Sequence, residues 1–250
     1  MPEAIRPGSI RLIVGLGNPG KEYERTRHNA GFWLVERFAV QSGVALRKDG
    51  KYQALVGRMP NNGAWLVMPQ GFMNASGHAV QMLAGFFKIP AAEILVVHDE
   101  LDFSPGTAKM KLGGGIAGHN GLRDISQRLG SHDYWRLRLG VGRPAGKDGA
   151  DYVLEKPPAE EREAIESSIS HSLEVLPLML DGDAQGAMNK LHGQDKPVVA
   201  KAAEVKKPEE KKPEPKKAES APAPKPEPKA AAKPEGGLKG FFKGLTGSKK

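Results

Sequence analysis

The chain has 250 residues, with 37 Lys and Arg against 29 Asp and Glu and no cysteine. The absence of cysteine excludes disulfides, thiolate-bound zinc and a cysteine nucleophile. The net charge of +8 is uneven: residues 196–250 hold fifteen Lys and seven Glu, which accounts for all of it, so residues 1–195 balance.

Ile10 to Leu16 is apolar and β-branched and reads as a buried strand. Apolar residues at helical spacing (Phe32, Val35, Phe38, Ala39) predict a helix over 30–40. Two strand patterns, 52–59 and 64–68, flank Asn61-Asn62-Gly63 as a hairpin. Asn74 is placed as the N-cap of a helix to about Phe87, with Pro90 beyond its end. Ile94 to Val97 is a further buried strand, running into His98-Asp-Glu-Leu-Asp102. Residues 107–112 fit a strand, Gly113-Gly-Gly115 opens a loop, and a helix follows near 122–129. Trp135, Leu137, Leu139 and Val141 alternate as in a strand, with Arg136 and Arg138 on its other face. Helices over about 160–180 and 184–191 complete an α/β fold: a single domain, 1–195, with a twisted mixed β-sheet flanked by helices.

Beyond it, 196–235 is rich in Lys, Pro, Ala and Glu, buries too little apolar surface to order itself, and is expected to be a disordered linker. The segment 236–250 differs, because Leu238, Phe241, Phe242 and Leu245 recur at helical spacing with Lys239 and Lys243 between them. It reads as an amphipathic helix for an anionic membrane surface, ribosomal RNA or a partner groove. Five glycines weaken any helix there, so a sticky disordered end is the alternative reading. No apolar run approaches the roughly 20 residues of a membrane helix, and no signal core follows Arg6 and Arg11. The expected location is cytoplasmic.

Three Gly-rich segments bearing asparagine (Asn18, Asn74, Asn120) and His28 each fall where a strand pattern gives way to a loop or helix start. In open α/β sheets, ligand sites collect there. Side-chain amides offer donors and an acceptor without charge, and an imidazole is suited to take a proton from water near neutral pH. Asp99 closes a strand pattern on the same sheet edge and is the natural partner for His28, with Glu100 and Asp102 as competitors. Metal ligation by His98, Asp99, Glu100 and Asp102 lacks a second ligand cluster of usable spacing. Gly15-x-Gly17-x-x-Gly20 matches the dinucleotide fingerprint, yet 21–27 carries no apolar helical face and Pro19 removes an amide donor, so a tight turn is the better reading. There is no Gly-x-Ser-x-Gly elbow, which leaves water as the simplest nucleophile. Basic residues outnumber acidic ones between Phe103 and Lys147, the footprint of phosphate contact.

Taken together, Val14-Gly-Leu-Gly-Asn-Pro-Gly20, Thr26-Arg-His-Asn-Ala-Gly31, Phe72-Met-Asn74 with Ser76-Gly77, His98-Asp-Glu-Leu-Asp102, Lys111-Leu-Gly-Gly-Gly115, Gly118-His-Asn-Gly-Leu122 and Arg136-Leu-Arg138 closely resemble the bacterial-type peptidyl-tRNA hydrolase family. The resemblance covers about 10–192. It implies ester hydrolysis of peptidyl-tRNA by a monomer without cofactor or metal. It further implies His28 as general base, held by Asp99, and Asn18 beside the scissile ester. Asn74 and Asn120 would hold peptide backbone and water, Tyr23 and Phe72 the 3′ end, and Lys111 and Arg138 tRNA phosphate, with His119 lining the same channel.

Overall fold

The computed structural model describes residues 6–143, 146 and 148–193. The expected linker 196–235 and terminal segment 236–250 therefore lie outside the described residues. Seven strands form one sheet in the order β2-β3-β4-β1-β5-β7-β6: β1 Leu12–Gly15, β2 Arg47–Asp49, β3 Ala54–Arg58, β4 Trp65–Pro69, β5 Ile94–Glu100, β6 Ala108–Leu112 and β7 Trp135–Gly140. The central strands β4, β1, β5 and β7 run parallel, and the hairpin β3–β4 and the edge strands β2 and β6 add antiparallel pairs. This is the mixed sheet that the sequence predicts.

Continuous apolar runs form the central strands because both faces are covered. Successive side chains of a strand go to opposite sides, and the core divides accordingly. Ile13, Leu95, Val97, Leu137 and Leu139 pack with α1 Ala30–Gln41, α5 Ala159–Leu173, α6 Leu176–Leu180 and α7 Ala184–His192. Leu12, Val14, Ile94 and Val96 pack with α2 Ser76–Phe87 and α3 Asn120–Leu129. The first helix lies very close to the sheet. A Cβ at Gly31 would overlap the Val97 carbonyl oxygen and would lie 2.5 Å from the Leu16 amide nitrogen, so only hydrogen fits where α1 crosses β1 and β5.

The structure departs from the sequence reading at four places. Asn74 does not cap α2; it sits in a 3-10 turn, Met73–Ala75, and the helix starts at Ser76 with Ala75 before it and no side-chain cap. The Ser76 hydroxyl donates instead to the Met73 carbonyl at 2.8 Å. The single helix expected over 160–180 is two, because Pro177 at the start of α6 brings no amide donor and its ring crowds the preceding turn. The short edge strand β2 is largely exposed and shows no apolar alternation. The five-residue α4 Gly149–Val153 is set by its cap, the Asp148 carboxylate accepting from the Ala150 amide at 3.0 Å. As expected, no helix opens on Gly20, and α1 begins ten residues later.

Two glycines give a paired test of this packing. Gly31→Ala is expected to destabilise the fold by about 1–3 kcal/mol through overpacking. Gly85→Ala, on the exposed face of α2 with open space around it, is expected to stabilise by about 0.5–1 kcal/mol through helix propensity. Urea unfolding of both variants measures the contrast.

Candidate active site

The C-terminal ends of the parallel strands converge on a cleft of about 500 Å³. Its wall takes Asn18 from the loop after β1, Phe72 and Asn74 from the segment after β4, Asp99 from the end of β5, and His119 and Asn120 from the start of α3. His28 comes from a 3-10 turn, Arg27–Asn29, directly before α1. Residues as far apart in the chain as Asn18 and Asn120 therefore share one sheet edge, as parallel topology requires.

Asp99 is 4% exposed and accepts two hydrogen bonds on one oxygen. His28 Nδ1 lies 2.9 Å from Asp99 Oδ1, and His119 Nε2 lies 3.1 Å from the same atom. Backbone geometry settles one tautomer. His119 Nδ1 accepts from the amides of Gly121 and Leu122 at 3.2 and 3.4 Å, so its proton sits on Nε2 and points at Asp99. Gly121 permits this approach: a Cβ there would press on Met73 Sδ and Leu16. For His28, donation from Nδ1 leaves Nε2 as the acceptor. Burial disfavours a charged His28, but the adjacent Asp99 outweighs it by charge and hydrogen bond and raises the imidazole above its ordinary value. Burial also works against an ionised Asp99; His28, and after it His119, hold its carboxyl well below the usual range.

Asn18 is fixed from both sides. Its backbone amide donates to Asn29 Oδ1 and its carbonyl accepts from Asn29 Nδ2, each at 2.9 Å. Its own Oδ1 accepts from the Met73 amide at 2.7 Å. The side-chain NH2 of Asn18 is left as a donor at the cleft. Asn74 and Asn120 are exposed on the rim, and Asn120 Oδ1 accepts from the Arg123 guanidinium at 2.8 Å. Tyr23 stands outside the cleft, its ring edge-on to the exposed Phe72 at 6.3 Å. The sheet thus gathers nine of the ten expected site residues at the cleft, with Tyr23 reaching it through Phe72.

Strand alternation separates the run after Val97. Asp99 faces His28, whereas His98 and Glu100 share the other face with Arg136 and Arg138 through the β5–β7 register. Glu100 pairs with Arg138 at 3.0 Å, and Asp102 with Arg143 at 3.1 Å. This dispersal does not support the four-residue metal reading of the run. The group among the described residues that offers converging metal-ligand atoms is His28, Asp99 and His119, within 4.8 Å of one another. The hydrogen bonds between them already engage those atoms.

Two residues here lie in the quoted motifs but are given no role in the site by the sequence. Arg136, expected on the strand face opposite Trp135, Leu137 and Leu139, is 2% exposed. Its guanidinium donates to the carbonyls of Gly114 and Gly115 and stacks over Tyr134, so it clamps the triple-glycine loop from below. Lys111 lies across Gly114, at the place a Cβ would take. The second is Asn29, the partner of Asn18, which adjoins His28 in the same short motif.

The sequence profile of the peptidyl-tRNA hydrolase family matches residues 12–199. A peptidyl-tRNA hydrolase of Leptothrix cholodnii is 51% identical over 205 residues, covering 78% of this chain and 96% of that protein. One of Nitrosospira multiformis is 51% identical over 188 residues, covering 74% and 98%. The crystal structure of peptidyl-tRNA hydrolase from Acinetobacter baumannii superposes with a TM-score of 0.72 at 42% identity, covering 74% of this chain and 96% of that one. The fold, with a cleft at its sheet edge, is that of a family of hydrolytic enzymes. The chain belongs to the peptidyl-tRNA hydrolase family.

His98 makes the acid limb of stability testable. Its Nδ1 donates to the Asp99 carbonyl at 2.7 Å, while its Nε2 is buried with no partner among the described residues. Burial, with His119 and Arg136 adding to it, lowers its pKa to about 3 from an ordinary 6.5. Below pH 6.5 the unfolded chain therefore takes up a proton that the folded chain refuses, and stability falls with a limiting slope of about 1.4 kcal/mol per pH unit. The urea midpoint of the wild type is expected to drop between about pH 6 and 4. His98→Gln should flatten the curve over that window.

Proposed function

We propose that this chain hydrolyses the ester joining a peptide to the 3′ end of tRNA, using water activated by His28. The observation that carries this reading is the 2.9 Å contact between His28 Nδ1 and the buried Asp99 carboxylate. It fixes the imidazole with its Nε2 lone pair available as a base, and it stabilises the imidazolium that forms when that atom takes a proton.

In the reaction, the water oxygen bonds to the ester carbonyl carbon as its proton passes to His28 Nε2. The carbonyl oxygen takes the negative charge. The Asn18 NH2, held in place by Asn29 and Met73, is the preorganised donor for that oxygen, a role worth about 3 kcal/mol at comparable sites. Collapse of the adduct breaks the bond to the ribose oxygen, which takes the proton back from His28. The products are a peptide carboxylic acid and free tRNA. The scheme balances with water and imidazole alone.

Asn74 and Asn120, on the cleft rim, supply neutral amides for the peptide backbone. Phe72 and Tyr23 offer ring surface to the terminal bases, since base–aromatic stacking tolerates any sequence. Lys111 and Arg138 serve tRNA phosphate by charge. The reading further takes the enzyme to act as a cytoplasmic monomer. No helix among the described residues is long and apolar enough to cross a membrane. We assign the basic segment 236–250 to association with an anionic surface or a partner groove, apart from catalysis.

With purified full-length protein and N-blocked aminoacyl-tRNA in the presence of a chelator, release of free tRNA is expected. His28→Ala should lose about 10² to 10⁴ of the rate while retaining tRNA binding; an active His28→Ala enzyme would sink the proposal. Lys111→Ala should raise KM and reduce its salt dependence, leaving kcat nearly unchanged. Removal of residues 236–250 is expected to leave turnover on free substrate intact and to reduce retention on anionic vesicles or ribosomes.

A further inference from the structure

We infer that His119 is a positioning residue that acts through Asp99: anchored by the first amides of α3, it donates to the carboxylate oxygen that His28 also uses. This inference rests on the reading of His28 as the base and adds what sets that base's strength.

Both ring nitrogens of His119 are committed inside the protein. Nδ1 accepts from two amide N–H groups, which have no alternative role as acceptors, so Nε2 must carry the proton. Nε2 then meets Asp99 Oδ1 at 3.1 Å, against 2.9 Å for His28. The His119 side chain is 8% exposed, and its ring lies 5.0 Å, centroid to centroid, from that of His28. Its contribution at this site therefore passes through the carboxylate and leaves no ring nitrogen for substrate.

The direction of the effect follows from sharing one acceptor atom. A hydrogen bond donated to a carboxylate stabilises its charge and makes it a weaker acceptor for a second donor. A buried Asp99 reserved for His28 would hold the imidazolium more strongly and move the base's titration to higher pH. His119 takes part of that capacity and leaves His28 able to release its proton. Asp99 from β5 and His119 from the start of α3 contact His28; Glu100, Lys111, Arg136, Arg138, Arg143 and Asp148 are the other charged groups of the cleft lining among the described residues. His98 packs on His119, with ring centroids 5.0 Å apart, and contacts Asp99 through the backbone carbonyl alone.

The test titrates the His28 ring by NMR and measures kcat/KM against pH in the full-length wild type, His119→Ala and His119→Gln. In His119→Ala the His28 titration should move to higher pH and carry the acidic limb of kcat/KM with it. At the wild-type half-maximum this reads as an about three- to tenfold loss that recovers on raising the pH, with KM unchanged. His119→Gln retains an N–H donor at similar reach and should return both curves towards wild type. An unmoved His28 titration in folded His119→Ala overturns the inference, as does a loss confined to KM. If the titration moves and the rate limb does not, the coupling stands and His28 falls as the base. Should His119→Ala fail to fold, the ¹⁵N shifts of His119 in the wild type decide: a proton on Nε2 supports the inference and one on Nδ1 overturns it.

Discussion

A carboxylate buried at the end of a parallel strand is costly unless donors surround it, and Asp99 makes the arrangement around it necessary. At 4% exposure it needs protons from elsewhere. His28 brings one from the turn before α1, and His119 brings another from the start of α3. Those two contacts tie both helical layers to the same strand end. The α1 layer closes against β1 and β5 at Gly31, and the α3 layer closes against Met73 and Leu16 at Gly121. Where side chains would have kept the layers apart, hydrogen lets them reach a single carboxylate oxygen.

The remaining chemistry of the cleft follows from strand alternation at the same edge. One face of β5 presents Asp99 to the histidines, and the other presents His98 and Glu100 to Arg136 and Arg138 of β7, which in turn register with Lys111 and Lys109 of β6. The histidine–carboxylate cluster and the row of basic side chains are thus one residue apart in sequence and on opposite sides of the sheet. The two faces meet where the sheet ends. Arg136 also acts on the loop, since its buried guanidinium fixes the carbonyls of the glycine loop that leads into α3. Its position ties the basic face to the His119 cap.

Much of the site was legible from residue type and order. The motifs around Asn18, His28, Asn74, Asp99 and Asn120 pick out residues that line the cleft, because short loops after parallel strands are where such side chains have to lie. Strand patterns were legible for a similar reason: a strand covered on both faces is apolar throughout. Local rules failed where tertiary contacts outweighed them. Asn74 is a good cap by type, but the Asn18 side chain binds the Met73 amide and the chain enters a 3-10 turn there. His119 is an unusual cap, and while its Nδ1 caps α3 its Nε2 reaches Asp99.

By itself, the sequence determined the α/β class, the sheet-edge location of the site and its membership in the peptidyl-tRNA hydrolase family, since each depends on local pattern and on the identity of short motifs. Only the tertiary structure decided that Asp99 serves two histidines through one oxygen, that the Asn18 NH2 has no partner among the described residues, and that Arg136 is a buried clamp on the glycine loop. Those are relations between residues far apart in the chain. They are set by how closely the helices approach the sheet, a distance governed by packing around Gly31 and Gly121 that periodicity does not record.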